Sequence, residues 1–337
     1  MAAAKAAERP RIAGQQVLAG IQPSGIQHIG NYFGAVRQFI ALQDGNRAAY
    51  FMADLHSLTS IHDAKRRREL THAVALDFLA LGVDPKRSVL YRQSDFPEVT
   101  ELAWILTTVT PMGLLQRCVS YKEKIEQGLK PDHGLFAYPV LQAADILIWR
   151  ADCVPVGQDQ KQHLEVTRDI AVKFNLTYRE VLKLPEPYIL EEVAAIPGVD
   201  GRKMSKTVEN GIEMFAPEKV LRRQIMGIVT DSKGVAEAKD PETSTIFQLY
   251  SLFANPEERA AMEHAFRKGG LGYGDAKKAL YEKVMAYFGD ARARRRELES
   301  RPDTVEDILR DGAARARAGT AELLHEVREA AGVGPTR

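Results

Sequence analysis

The chain has 337 residues, 45% hydrophobic and 27% charged, with 46 basic against 45 acidic side chains and a formal net charge of +1. This composition excludes large-scale disorder and a uniformly basic nucleic-acid coat, so an RNA partner would have to be gripped by a local basic face. Two cysteines, Cys118 and Cys153, with no C-x-x-C pair, exclude a disulfide framework and a cysteine zinc site and fit a reducing, cytoplasmic compartment. No apolar run approaches the roughly 18 residues of a membrane span. The first ten residues lack the apolar core of a secretion signal and read as a frayed tail or an organelle-targeting remnant.

The first notable stretch follows the apolar run Val17-Leu18-Ala19. It is Gly20-Ile21-Gln22-Pro23-Ser24-Gly25-Ile26-Gln27-His28-Ile29-Gly30-Asn31-Tyr32, a glycine-punctuated turn that opens a helical pattern. A strand, a turn and a helix start put backbone N–H groups where they can face an anion. Gly20, Gly25 and Gly30 would permit close approach, and His28 adds a donor, so a polyphosphate is the natural guest. The spacing is neither G-x-G-x-x-G nor G-x-x-x-x-G-K-[ST], and by itself it is equally an ordinary turn before a helix.

Helical periodicity then covers residues 29–43, and residues 48–53 read as a strand ending in Asp54-Leu55-His56, polar groups at the carboxyl end of a parallel strand. A second helix is predicted over 64–81, with Gly82 beyond its end and a solvated Lys65-Arg66-Arg67-Arg68 run near its start. A strand over 88–92 and a helix over 98–109 follow. The pattern from 134 to 149 is helical and apolar, yet it carries Asp145. A buried strand over 153–157 leads into a helix over 161–174. The alternation predicts an α/β, doubly wound parallel sheet. Pro185, Pro187 and Pro197-Gly198 mark a connection, and beyond Thr207 the chain reads as helical, with a basic run from Arg292 to Arg296 that fits a salt-bridged face as well as an RNA contact.

Between these halves lies Lys203-Met204-Ser205-Lys206-Thr207, which supplies two ammonium groups on flexible stems and a hydroxyl, enough to neutralise charge on a leaving pyrophosphate. Alone it is a solvent loop as readily as a site. Paired with the opening turn it becomes specific: His28-Ile29-Gly30-Asn31 resembles the HIGH signature, and Lys203 to Thr207 the KMSKS signature, of the class I aminoacyl-tRNA synthetases. Over most of residues 15–335 the chain is similar to the tryptophan branch of that family. Gly20-Ile21-Gln22-Pro23-Ser24-Gly25, Ile29-Gly30-Asn31-Tyr32, Ala143-Ala144-Asp145-Ile146-Leu147, Val154-Pro155-Val156-Gly157 and Val229-Thr230-Asp231-Ser232 carry the likeness.

The resemblance implies a Rossmann-like catalytic domain over residues 15–208, an all-helical anticodon-binding domain over 209–300 and a helical segment over 301–337 that packs back on the catalytic domain. It implies a cytoplasmic homodimer that joins L-tryptophan to tRNA(Trp), using ATP with Mg²⁺ and no metal held by the protein. By position, Gln22, Pro23, Ser24, Gly30, Asn31, Gly157, Gln158, Asp159, Ala194 and Lys203, Met204, Ser205, Lys206, Thr207 would bind ATP. His28, Lys124, Lys203, Ser205 and Lys206 would serve the chemistry, and Leu18, Gln22, His56, Tyr138, Gln142, Asp145, Val154 and Val156 would hold the amino acid. Asp145 has a rationale apart from the likeness, since indole is a donor only and needs an acceptor. Its structural alternative is an ion pair with a neighbour such as Arg150.

Four positions depart from the family pattern. Asn31 stands where the wider family has a second histidine, as is usual for the tryptophan branch, and Thr207 replaces the final serine of the loop. Gln142 and Gln158 replace a frequent methionine and glutamate. Gln142 keeps a tyrosine enzyme as an alternative, since that branch also places a glutamine three residues before an aspartate. A non-tRNA adenylyltransferase or a silent RNA-binding paralogue of the superfamily is disfavoured, because both motifs and the helical region are present together.

Overall fold

A computed structural model describes residues 12–118, 121, 132–156, 161–189, 195–205 and 208–334. In chain order its strands are β1 (Gln16–Ile21), β2 (Arg47–Met52), β3 (Val89–Arg92), β4 (Cys153–Val156) and β5 (Glu186–Ile189). The helices used below are α1 (Ile29–Asn31), α2 (Arg37–Ala41), α3 (Asp54–Ser57), α4 (Ala64–Leu81), α5 (Glu98–Val109), α6 (Met112–Gln116), α7 (His133–Ile148), α8 (Lys161–Thr177), α9 (Glu218–Met226), α10 (Thr245–Ser251), α11 (Pro256–Lys268), α12 (Tyr273–Glu299) and α13 (Pro302–Ala331). They fall into two compact units: one is Gly25–Arg37 with Val193–Ser300, the other Ala7–Ser24 with Gln38–Glu192 and Arg301–Arg337.

The second of these is the α/β unit. Its five strands are all parallel and run in the order β3-β2-β1-β4-β5, so successive strands step outward one way from β1 to β3 and then resume on the other side with β4. This is the Rossmann-like arrangement the alternation predicted, with its switch point between β1 and β4. β2 is buried from Ala48 through Met52, the near-continuous apolar run of a strand covered on both faces. Gly20 is confined by this packing: a Cβ there would lie 2.5 Å from the Phe51 ring. The strand β5 sits where two prolines suggested only a connection. It is an edge strand, where a missing N–H donor is tolerated.

α4 starts and stops where predicted. Asp63 accepts the Arg66 N–H at 3.0 Å to cap its start, and Gly82 closes it in the left-handed region at φ 119°. Of its basic run, Arg67 reaches back to the Ile61 carbonyl at 2.7 Å, while Lys65, Arg66 and Arg68 are exposed.

The terminal helix α13 lies against the edge strand β3, burying Leu309, Ala313 and Ala316. Arg315 donates to the carbonyls of Pro85 and Ser88 at 2.6 and 3.2 Å, and Arg92 pairs with Glu306 at 2.6 Å. The helix comes so near that a Cβ on Gly312 would stand 1.8 Å from the Leu90 carbonyl oxygen.

The other unit is built on α9 to α12 and on the segment 25–37, where Tyr32–Val36 forms a π-helical turn after α1. Tyr32 and Phe33 sit in an aromatic cluster with Phe253, Tyr287 and Phe288, ring centroids 4.9 to 6.0 Å apart. The basic run at 292–296 is divided by its helix face. Arg292 is buried and donates to the Met214 and Ala216 carbonyls at 2.6 and 2.7 Å, Arg295 covers the Phe215 ring and pairs with Glu299, and only Arg294 and Arg296 point outward. No helix among the described residues is long and apolar enough to cross a membrane.

The α13 contact makes a stability prediction. Gly312→Val must push helix and strand apart, so thermal unfolding should show a loss of about 1–3 kcal/mol or more. An unchanged melting temperature would mean that the helix does not pack this closely.

Candidate functional site

In the helical unit the two motif stretches meet. His28 is the N-cap of α1: its Nδ1 accepts the Asn31 N–H at 3.2 Å, while Asn31 Oδ1 accepts the His28 N–H at 3.2 Å. Because Nδ1 accepts, the neutral ring carries its proton on Nε2. The Gly30 N–H points at Met204 Sδ, 3.3 Å away, and Ile29 N–H donates to the Ile212 carbonyl at 2.9 Å. A Cβ on Gly30 would meet the His28 ring at 3.0 Å and Met204 at 3.2 Å, and one on Gly211 would meet the same ring at 3.0 Å. None of Gly20, Gly25 and Gly30 has a positive φ. At 20 and 30 a side chain would collide with neighbouring side chains, so packing within the protein by itself requires glycine there.

The loop that carries Lys203 is itself braced. Pro197 and Lys203 form an antiparallel bridge, and Gly201 turns the chain at φ 81°. Buried Asn210 binds it from within, donating to Asp200 Oδ1 at 2.7 Å and to the Lys203 carbonyl at 3.2 Å, and accepting the Ser205 N–H at 2.8 Å. The bonds from Asn210 and then Arg202 hold the Asp200 carboxyl below its ordinary pKa. The Lys203 side chain is exposed, whereas Met204 is buried.

In the α/β unit four of the predicted amino-acid residues, Gln22, His56, Tyr138 and Asp145, are linked through His56, just beyond the carboxyl end of β2. Asp145, on α7, is 2% exposed. Its Oδ2 receives His56 Nε2 at 2.9 Å, and both of its oxygens receive Gln93 Nε2, at 2.9 and 2.8 Å. A carboxylate only accepts, so His56 is protonated at Nε2. Burial pushes the Asp145 carboxyl above its ordinary pKa, opposed by the bonds from His56 and Gln93. Arg150 pairs with Glu326 instead, so it is not the partner of Asp145.

Gln22, just past β1, is exposed and reaches the His56 carbonyl and Ser60 Oγ at 3.3 and 3.4 Å; Pro23 beside it is buried and Ser24 exposed. Tyr138 Oη and His163 Nε2 lie 2.7 Å apart. Gln142 is half-buried on the same helix as Asp145, and Leu18 and Val154 belong to the apolar core, with Val156 packed on it. A cleft of about 380 Å³ is lined by His56 and Tyr138 together with Leu55, Thr59, Ala103, Trp104 and Leu141; Asp145 is not among its lining residues. Lys124, Gly157, Gln158, Asp159, Ala194, Lys206 and Thr207 lie outside the described residues.

Sequence reasoning missed Gln93, His163 and Asn210. Gln93 directly follows β3, and the rule that drew attention to His56, polar groups at the carboxyl ends of parallel strands, applies to it equally. His163 carries no local signal, because its partner Tyr138 lies 25 residues away, and Asn210 was passed over although the loop it braces is only 5 to 10 residues upstream.

The description tRNA synthetases class I (W and Y) fits residues 14–289, and the chain belongs to that family. Within it, the relatives are tryptophan–tRNA ligases. That of Fusobacterium nucleatum is 51% identical, with 94% of this chain and 97% of the relative covered, and that of Rhodopirellula baltica 52%, with 94% and 99% covered. Among solved structures, the tryptophanyl-tRNA synthetase of Campylobacter jejuni complexed with ADP and tryptophan superimposes with a TM-score of 0.91 at 46% identity, covering 94% of this chain and all of that one.

Asn31→Ala removes one of the two reciprocal cap bonds. Denaturant titration should show a loss of about 1 kcal/mol, and no loss would mean that the capping box contributes nothing.

Proposed function

We propose that this chain joins L-tryptophan to tRNA(Trp). In the first step a carboxylate oxygen of tryptophan attacks the α-phosphorus of ATP in line, and the bond from that phosphorus to the β-phosphate bridge breaks. Pyrophosphate leaves with the bond's electrons, and tryptophanyl-adenylate remains. In the second step a ribose hydroxyl of the terminal adenosine of tRNA attacks the activated carbonyl, and AMP leaves. Both nucleophiles belong to substrates, so the protein supplies position and charge, which can be worth about 7–11 kcal/mol for positioning alone.

Each predicted group has a task suited to its chemistry. His28 offers an Nε2–H to a phosphate, together with the backbone of Gly30 and Asn31 and of Gln22, Pro23 and Ser24. Lys203, Ser205, Lys206 and Thr207 stabilise charge on the departing pyrophosphate, Lys124 joins them, and Mg²⁺ accompanies the triphosphate as part of the substrate. Met204, Gly157, Gln158, Asp159 and Ala194 contact the nucleotide. Asp145 takes the indole N–H, in a pocket with Leu18, Gln22, His56, Tyr138, Gln142, Val154 and Val156. The observation that carries this reading is the buried Asp145 carboxyl, held by His56 and Gln93, whose Oδ1 remains an acceptor for a ligand that can only donate. The tryptophan–tRNA ligase relatives and the neighbour bound to ADP and tryptophan support it.

The homodimer belongs to the same proposal, with the enzyme acting in the cytoplasm. Trp104 on α5, 70% exposed, and Leu58, 46% exposed, line the apolar cleft of the α/β unit, and Met112 on α6 is 63% exposed. A second copy would cover these side chains.

ATP–pyrophosphate exchange with each amino acid tests the function: tryptophan should support the fastest exchange, and faster exchange with tyrosine would overturn the assignment. Asp145→Ala should raise the tryptophan KM by tenfold or so and relax side-chain selectivity, as expected for a charge-assisted bond of about 1.5–3 kcal/mol. For the dimer, Trp104→Glu should sediment as a monomer; an unchanged dimer would place the interface elsewhere.

A further inference from the structure

Gln93 is fully buried in the 3-10 turn Gln93–Asp95 that follows β3. Its side-chain amide joins two elements. Oε1 accepts the Leu55 N–H of α3 at 3.1 Å, and Nε2 reaches both carboxylate oxygens of Asp145, at 2.9 and 2.8 Å. The orientation of this amide is dictated by its partners. Turned over, it would set an NH₂ against the Leu55 N–H and a carbonyl oxygen against a carboxylate, two buried repulsions in place of two bonds.

The same geometry divides the work of the two carboxylate oxygens. Among the described residues, Oδ2 receives both His56 and Gln93, whereas Oδ1 receives Gln93 alone. A carboxylate has room for about four donors, two per oxygen, so the open position is on Oδ1.

We propose that Gln93 is a positioning residue for amino-acid selection: it locks the Asp145 carboxylate so that Oδ1 is presented to the ring N–H of an indole. This rests on the reading of Asp145 as the indole acceptor. Gln93 touches no substrate. It acts by removing the rotational freedom of the carboxylate, and through Leu55 it ties that carboxylate to α3, the helix that also carries His56.

The test compares tryptophan with its sulfur isostere, 3-benzothienylalanine, which has the same shape and no N–H. Exchange kinetics give kcat/KM for each, and their ratio isolates the N–H bond from folding and from ATP binding. In the parent enzyme the ratio should favour tryptophan by about tenfold or more. Gln93→Met, of similar length and without the amide, should shrink the preference to within about threefold and leave the ATP KM unchanged. Gln93→Asn, an amide too short to span both partners, should fall between the two and serves in place of the methionine variant if that one does not fold. Equal losses for both amino acids, with the ratio intact, would show that Gln93 only supports the fold and would overturn the proposal. A parent enzyme with no preference, or an Asp145→Ala variant that keeps the full preference, would instead overturn the reading of Asp145 itself, and the proposal with it.

Discussion

The interaction on which the α/β unit depends is the burial of one negative charge. A carboxylate with 2% exposure and no partner would cost several kcal/mol, and Asp145 is kept there by donors from two other elements, His56 on α3 and Gln93 after β3. Both follow parallel strands that end on the same side of the sheet. The order β3-β2-β1-β4-β5 is therefore more than a scaffold: it brings the carboxyl end of each strand to a shared rim, where α7 contributes the acid.

The helical unit handles its polar groups by a different device, the absence of side chains. Gly30 and Gly211 leave room for the His28 ring, and Met204 closes against the Gly30 backbone. Asn210 then satisfies the turn that precedes Ser205, so that the segment from Asp200 is fixed by buried hydrogen bonds while the Lys203 side chain stays in solvent. A fixed backbone beneath an exposed Lys203 fits the role proposed for this loop, to meet charge that develops during a reaction.

Much of this was legible residue by residue. α4 and α5 occupy the predicted spans because their ends carry local chemistry, an aspartate cap and a left-handed glycine in α4, and Pro97 and Pro111 around α5. The strands β2, β3 and β4 appear because buried parallel strands are nearly all apolar. β5 was hidden by Pro187, since a proline speaks against a strand until it is known that the strand lies at an edge. The arginines at 292–296 show the reverse problem. As a run they look like one charged surface, yet helical geometry sends Arg292 inward to two carbonyls and Arg294 outward to water.

The amino-acid sequence by itself determined the alternation of strands and helices, the two motifs and their family, and the oddity of an aspartate in an apolar helix, because each is a property of residues close together in the chain. Only the tertiary structure decided what that aspartate is bonded to, why Gly20 and Gly30 must be glycines, and that Gln93 belongs beside the predicted residues. Those properties depend on partners far apart in sequence, Gln93 with Asp145 and Gly30 with Met204, and no local pattern encodes a distance that only folding creates.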